Sequence, residues 1–474
     1  MAGRSSGVIA LIVVSCVMRV GGIFTDFWLD EIWSHSIAMT ISSTPDVLLS
    51  DAARLDNNHP INTLLIRAMG ERQSWVWYRI PSMIAGIGAV LLAVRIMSRR
   101  GRAEALAAAV FVGTSFPLVF YSSEARGYSL AVFFAMLALD ALDREFAGAR
   151  KAVMFNVACI LGFLSHLTFL HFYAAAGVWT VLHLLRSKAT PRQSARLLFR
   201  LHAIPLAAIV SLHLVFVRHL TIGGAPPTRT LNVLISALSL SVGGPGSGTV
   251  AALIAIIVAT LFLVSLGWLI RNRSQMWVFY AVAVIIAPGL LMLYDLVLSE
   301  RIQPLMVRYF LVALAMMLLA LAQGAGALWR VRPGLVTTLL GLVVVGNMID
   351  FIGFLSDGRG GYSRAVSHML ANTPGPRVTV AADNNFRVGK TLEFYSRLLP
   401  AGRSIDFDDG TIARAAPPMW LIKTSHPSVE PPPAVVVHAS GIRYLLERAY
   451  PTSPLSGVEW YLYRIEPHPR ASAP

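Results

Sequence analysis

Apolar runs of roughly 17 to 22 residues recur along this chain, about the length a helix needs to cross a ~30 Å hydrocarbon core. They fall at 7–24, 80–97, 103–121, 127–142, 152–168, 171–186, 201–218, 249–270, 276–297, 308–327 and 333–353. Composition points the same way. Of 474 residues, 55% are hydrophobic and only 14% charged, whereas a soluble domain carries about a quarter charged. Most of the surface must therefore face something other than water. The expected fold is mainly α, a polytopic membrane protein with about eleven transmembrane helices. The first run has the look of a signal peptide, with Arg4 ahead of Val8–Met18, but Arg19 interrupts it and no small-x-small cleavage site follows. It reads as a retained first helix.

The net charge of +15 does not point to nucleic acid. The basic residues sit in short clusters between apolar runs, with no basic stripe interleaved with aromatics. Such clusters act as topology signals. Alternate connections carry Arg99, Arg100 and Arg102; Arg144, Arg150 and Lys151; Arg186, Lys188, Arg192, Arg196 and Arg200; Arg271 and Arg273; and Arg330 and Arg332. The intervening short loops are poor in Lys and Arg. This alternation predicts a multi-pass protein of the cell's inner (plasma) membrane, with a cytoplasmic N-terminus and an extracytoplasmic tail. Cys16 and Cys159 both lie in apolar runs, which argues against a disulfide framework.

Two domains are expected: a transmembrane domain over 1–353, with a large outer loop at 25–79, and a small extracytoplasmic α/β domain over 354–474. The outer loop holds Trp28, Trp33, Trp75 and Trp77, and its amphipathic stretches Ile32–Ile41 and Asn62–Met69 suit the plane of the interface. A second outer segment, 219–248, is rich in Gly and Pro (Gly223-Gly224, Pro226-Pro227, Gly243-Gly244-Pro245) and reads as a mobile loop. In the tail, Arg377–Ala381, Met419–Lys423, Ala434–His438 and Val458–Ile465 read as strands, and Phe386–Leu399 as a helix.

Candidate chemistry clusters at the expected outer boundary. Asp30 and Glu31 lie within about seven residues of the first helix, crowded by aromatics. Adjacent carboxylates repel each other and are partly desolvated there, which favours ion binding or acid–base work over a solvated acidic turn. In Asp56-Asn57-Asn58-His59-Pro60, a carboxylate, two amides and an imidazole suit a sugar or a metal, although Asp/Asn before Pro is also ordinary turn chemistry. In Ser123-Glu124-Ala125-Arg126-Gly127-Tyr128, Glu124 and Arg126 lie two apart, so in a helix one would face inward and the other solvent. Arg126 suits bidentate phosphate binding, or it snorkels at the interface. His166 and His171 are lone histidines at an expected outer turn, where such residues are more often interfacial or hydrogen-bonded than catalytic, while Arg308 beside Tyr309, and Arg19, could hold a phosphate or simply anchor a helix. No Gly-rich phosphate loop, CxxC pair or HExxH is present.

Taken in order, these segments resemble the GT-C superfamily of polytopic glycosyltransferases. The resemblance runs through a first helix ending near Arg19, Trp28-Leu29-Asp30-Glu31-Ile32-Trp33-Ser34, Asn58-His59-Pro60, Tyr78-Arg79-Ile80-Pro81-Ser82 and Ser123-Glu124-Ala125-Arg126-Gly127-Tyr128. It covers residues 10–130 well, and beyond them rests mainly on topology and Arg308-Tyr309. The nearest branch holds protein O-mannosyltransferases, the aminoarabinose transferase of lipid A and lipopolysaccharide-core transferases of the Rgt type. That branch often has His-Pro-Pro where this chain has His59-Pro60-Ile61. The resemblance implies a polyprenyl-phosphate sugar donor, a glycan, lipid or protein hydroxyl as acceptor, inversion at the anomeric carbon, and in some relatives a divalent metal. Asp30 would be the leading carboxylate and Glu31 its partner, with either available to a metal. Asp56, Asn58, His59, Glu124, Arg126, Tyr128, His166 and Arg308 would contact substrate. The competing class is a transporter or lipid flippase, which usually places charges at the midplane and repeats its halves. Here Asp140, Asp295 and Asp350 lie near helix ends.

Overall fold

The structure is a computed structural model and describes residues 6–221, 223, 229–298, 305–410, 416–426, 430–437, 441–455 and 457–466. The chain forms two compact units: Met1–Ile23 with Ser34–Phe351, and Phe24–Trp33 with Ile352–Pro474. The expected outer loop 25–79 is thus divided, and its segment Phe24–Trp33 belongs with the C-terminal residues.

The first unit is helical. Among the described residues, seven helices are long and apolar enough to cross a membrane: Val76–Ser98, Leu167–Arg186, Pro191–His219, Gly248–Arg271, Met276–Leu293, Val307–Trp329 and Pro333–Asp357. The helices Ser6–Gly22 and Ala152–Ser165 are apolar but shorter. Tyr128–Phe146 ends in charged residues, Asp140, Asp143, Arg144 and Glu145.

The run 103–121 is not one straight span. It breaks into Arg102–Thr114 and Phe116–Ser122, bent by 55°. A break inside an apolar bundle frees carbonyls and amides that need partners. Arg19 supplies donors to Gly113 O at 2.7 Å and Val112 O at 3.2 Å. On the other side of the break, Phe116 N–H donates to Asn347 Oδ1 at 2.6 Å. Arg19 also donates to Ser15 Oγ at 2.5 Å within its own helix. The expectation that Arg19 grips phosphate or anchors the helix is therefore corrected: its guanidinium caps the broken span.

A second correction concerns 219–248. Thr230–Ser241 is a helix, because Leu231, Val233, Leu234, Ile235, Leu238 and Leu240 override the flanking Gly and Pro signals. Gly224, Pro226 and Pro227 lie outside the described residues. Two further helices, Leu29–Thr40 and Pro60–Met69, occupy the stretches read as amphipathic.

The second unit is α/β. Its strands are β1 (Arg377–Ala382), β2 (Ser404–Asp408), β3 (Trp420–Ser425), β4 (Val435–Val437), β5 (Arg443–Tyr450) and β6 (Glu459–Ile465), in spatial order β2-β1-β3-β6-β5-β4. β1 runs parallel to β2 and β3, and the remaining pairs are antiparallel. The helix Asn385–Ser396 connects β1 to β2, and its Asn384 side chain caps the N-terminus by accepting from Arg387 N–H at 3.0 Å. Val378, Val380, Trp420, Ile422, Trp460 and Leu462 are buried in the sheet's core. β2 and β5 escape sequence reading for identifiable reasons. β2 has three polar residues in five, and β5 carries a register shift between Leu446 and Arg448 that interrupts its alternation. Helix Tyr362–Ala371 is likewise unexpected. His438, placed at the end of a strand by its sequence, lies outside the described residues.

Candidate functional site

In the first unit, four segments distant in sequence bring together His59, Arg126, Tyr128, His166 and Arg308. His59 is the N-cap residue of helix Pro60–Met69. Its ring lies 4.7 Å from Tyr128 and 4.9 Å from His166, centroid to centroid. Tyr128 and His166 are also 4.9 Å apart, and Tyr309 stacks 6.2 Å beyond His166. Arg126 lies 5.6 Å over the Tyr128 ring and Arg308 lies 5.9 Å over Tyr309.

Hydrogen bonds fix the imidazole protons. Arg126 Nε–H donates to His59 Nε2 at 3.0 Å, and His59 Nδ1 stands 3.2 Å from the Ser165 carbonyl oxygen. A guanidinium only donates and a carbonyl only accepts. His59 is therefore neutral, with its proton on Nδ1. Burial, then the charges of Arg126, His166 and Arg308, push its pKa well below the ordinary range, against a smaller opposing effect of the Ser165 carbonyl. His59 is a positioning group for Arg126 and not a general base.

His166 has the opposite tautomer. Thr168 N–H donates to its Nδ1 at 3.1 Å, so the proton sits on Nε2. That nitrogen is buried and has no hydrogen-bond partner among the described residues. Both ring nitrogens of buried His171 are in the same condition, as are Asn58 Oδ1 and Asn62 Oδ1. A buried polar atom left unbonded costs about 1–3 kcal/mol, so several close together in one region mark a place where polar ligand groups would be stabilised.

The local chain explains the convergence. The segment 123–127 is a turn between helices Phe116–Ser122 and Tyr128–Phe146. The inward/outward expectation for Glu124 and Arg126 assumed a helix and is corrected here: both are buried, at 0% and 3% exposure. Asn62 Nδ2 donates to Ala125 O at 2.7 Å and Ser82 Oγ to Arg126 O at 2.8 Å, which pins the turn. Gly127 is required by space alone, since a Cβ there would overlap the Ser165 carbonyl oxygen. Asp56 is placed differently. Its backbone has a left-handed φ of 53° and its N–H donates to Thr221 O at 2.7 Å, so it serves a bridge to the segment after residue 219.

The acidic pair belongs to the second unit. Asp30 and Glu31 lie in the first turn of helix Leu29–Thr40, where negative charge is favoured. Glu31 is fully buried, and its Oε2 accepts from Trp28 N–H at 3.4 Å, a capping contact across the helix start. Asp30 is half-buried. Just upstream, Asp26 Oδ2 accepts from Ser363 N–H at 2.9 Å and Oδ1 from Ser363 Oγ at 2.6 Å. The Tyr395 hydroxyl accepts from Phe27 N–H at 2.9 Å and donates to Phe27 O at 3.0 Å. Sequence reading missed Asp26, Ser165, Ser363 and Tyr395. Asp26 sits in the quoted motif, but nothing in the chain advertises partners more than 300 residues away.

Among the described residues, no group of three or more His, Cys, Asp or Glu side chains is gathered as a metal would need. Asp30 and Glu31 alone offer too few protein ligands for a closed site, and Glu31 is engaged with its own helix. Compared with protein-family models and with curated proteins, the chain matches none.

Proposed function

We propose that this chain is a membrane glycosyltransferase that moves a sugar from a polyprenyl-phosphate donor to a hydroxyl acceptor on the outer face of the plasma membrane. The observation that carries the reading is the buried donor cluster of Arg126, His166 and Arg308, with Arg126 aligned by His59. Two guanidiniums and an oriented imidazole N–H match the oxygens of a phosphate. The proposed membrane arrangement has eleven spans, a cytoplasmic N-terminus and an extracytoplasmic C-terminal unit, following the alternation of the basic connections.

The chemistry needs little else. Asp30 takes the proton of the acceptor hydroxyl as that oxygen bonds to the anomeric carbon from the face opposite the phosphate. The bond from that carbon to the phosphate oxygen breaks, and its electron pair leaves with the polyprenyl phosphate. The transition state is oxocarbenium-like, and phosphate is a good leaving group, so no strong general acid is required. Arg126 and Arg308 offset the charge that develops on the departing phosphate. The acceptor is a glycan, lipid or protein hydroxyl.

The test is a transfer assay in proteoliposomes, with a panel of labelled polyprenyl-phosphate sugars against membrane extracts. Asp30→Asn should reduce transfer by about 10³-fold or more while donor binding persists, and Arg126→Met should weaken donor binding. Full activity in Asp30→Asn removes Asp30 from the role. Donor passage across the bilayer without any sugar transfer would reassign the protein to lipid transport.

A further inference from the structure

The acidic segment is built into the second unit by two independent anchors. At Asp26, both carboxylate oxygens are taken by Ser363, one by its amide and one by its hydroxyl. Ser363 lies in the first turn of helix Tyr362–Ala371, where backbone N–H groups lack helical partners. At Phe27, one phenol oxygen satisfies both the amide and the carbonyl of the same residue, as a neighbouring strand would. Apolar contacts reinforce the second anchor. The Phe27 ring lies 5.1 Å from Phe394 and Trp33 lies 5.7 Å from Phe386, so the helix Asn385–Ser396 flanks the segment at both ends.

These anchors precede Asp30 by four and three residues, and the helix that carries it begins at Leu29. No flexible stretch intervenes. Val458 is braced in the same manner as Phe27: the Tyr362 hydroxyl donates to Val458 O and accepts from Val458 N–H, both at 3.3 Å, and the Tyr362 ring packs 4.8 Å from Trp460 of β6. Through these contacts the sheet, the two helices and the acidic segment form one framework.

We propose that the C-terminal unit is part of the catalytic apparatus, with Tyr395 and Ser363 acting as positioning residues that set where the Asp30 carboxylate stands. The inference rests on the glycosyltransferase reading for its activity arm only. Asp30 must meet an acceptor hydroxyl within hydrogen-bond distance, and a displacement of about 1 Å at such a group costs on the order of a hundredfold in rate. Removing the phenol oxygen takes both bonds from Phe27 yet keeps the ring and its packing.

The test uses full-length Tyr395→Phe and Ser363→Ala in lipid nanodiscs, with amide hydrogen exchange and steady-state transfer measured on the same preparations. In Tyr395→Phe, exchange over residues 24–31 should accelerate about tenfold or more while β1 and β6 stay protected. The kcat should fall roughly ten- to a hundredfold with the KM for the donor unchanged. Ser363→Ala, which retains the amide bond, should show the same pattern in smaller degree. Wild-type exchange and wild-type kcat in both variants would overturn the proposal. So would equal loss of protection in β1 and β6, which would mean that Tyr395 merely holds the unit together. A wild-type protein without transfer on any donor tested, but with the local exchange response intact, would overturn the glycosyltransferase reading and leave the anchoring standing.

Discussion

A carbonyl oxygen cannot donate and a guanidinium cannot accept, and between them Ser165 and Arg126 decide the protonation of His59. A proton added at Nε2 would break the Arg126 bond and place two positive charges in contact. The folded state therefore resists protonation at His59, whereas the unfolded chain takes it up near the ordinary histidine value of about 6.5. Because the folded pKa is the lower one, the stability that neutral His59 contributes is present above about pH 6.5 and is progressively lost as pH falls toward the folded value. Nitrogen NMR of labelled histidine should find His59 protonated at Nδ1 and His166 at Nε2. The thermal midpoint should drop on acidification from pH 7.5 to 5.5, and His59→Gln should shrink that drop. An imidazolium signal for His59 at pH 7 would refute the assignment. The sequence makes His59 and His166 look alike, since both are lone histidines at expected helix ends. Their different tautomers depend on Ser165 and Thr168, which the chain does not mark.

The broken span shows the same limit one level up. An unbroken apolar run at 103–121 suggests one helix, although Pro117 hints at a second start, since proline in a first turn lacks only an N–H that would be unbonded anyway. What makes the break tolerable is Arg19 on one side and Asn347 on the other, from helices remote in sequence. Local patterning reveals a helix and its face but not which polar side chain will cap a distant one. The structure gives Arg19 a structural role, so Arg19→Met should lower the thermal midpoint of the purified protein sharply. The loss corresponds to about 3 kcal/mol or more, because charged hydrogen bonds to Gly113 and Val112 disappear and their carbonyls stay buried. Residual activity should show the wild-type KM for the donor. A raised KM at wild-type stability would instead make Arg19 a donor-binding group.

Across the whole chain, many of the basic residues that set the expected topology are held by carboxylates. Arg99 reaches Asp140 at 2.7 Å and Asp143 at 2.8 Å, Arg100 reaches Asp143 at 2.6 Å, and Arg200 and Arg330 pair with Glu145 and Glu104. Asp140 is only 1% exposed and also lies 3.6 Å from Arg95 and 3.8 Å from Arg144. Acidic partners contribute little to orientation during insertion, so the positive clusters still count in full even though they end neutralised. That is why the alternation of basic connections was readable while the pairing was not: insertion follows short-range charge along the chain, and pairing follows packing between helices. The seven long apolar helices found among the described residues leave the count open, and the proposed orientation rests on the alternation of basic connections alone. Single cysteines at Ala147 and Ala401, in a chain with Cys16 and Cys159 replaced by serine, test it directly. Both positions are exposed. A membrane-impermeant maleimide added to intact spheroplasts should label Ala401→Cys at once and Ala147→Cys only after permeabilisation. Labelling of both from outside would break the alternation between residues 147 and 401, and labelling of Ala147→Cys alone would invert the protein and place Asp30 on the cytoplasmic side, contrary to the proposed outer-face site.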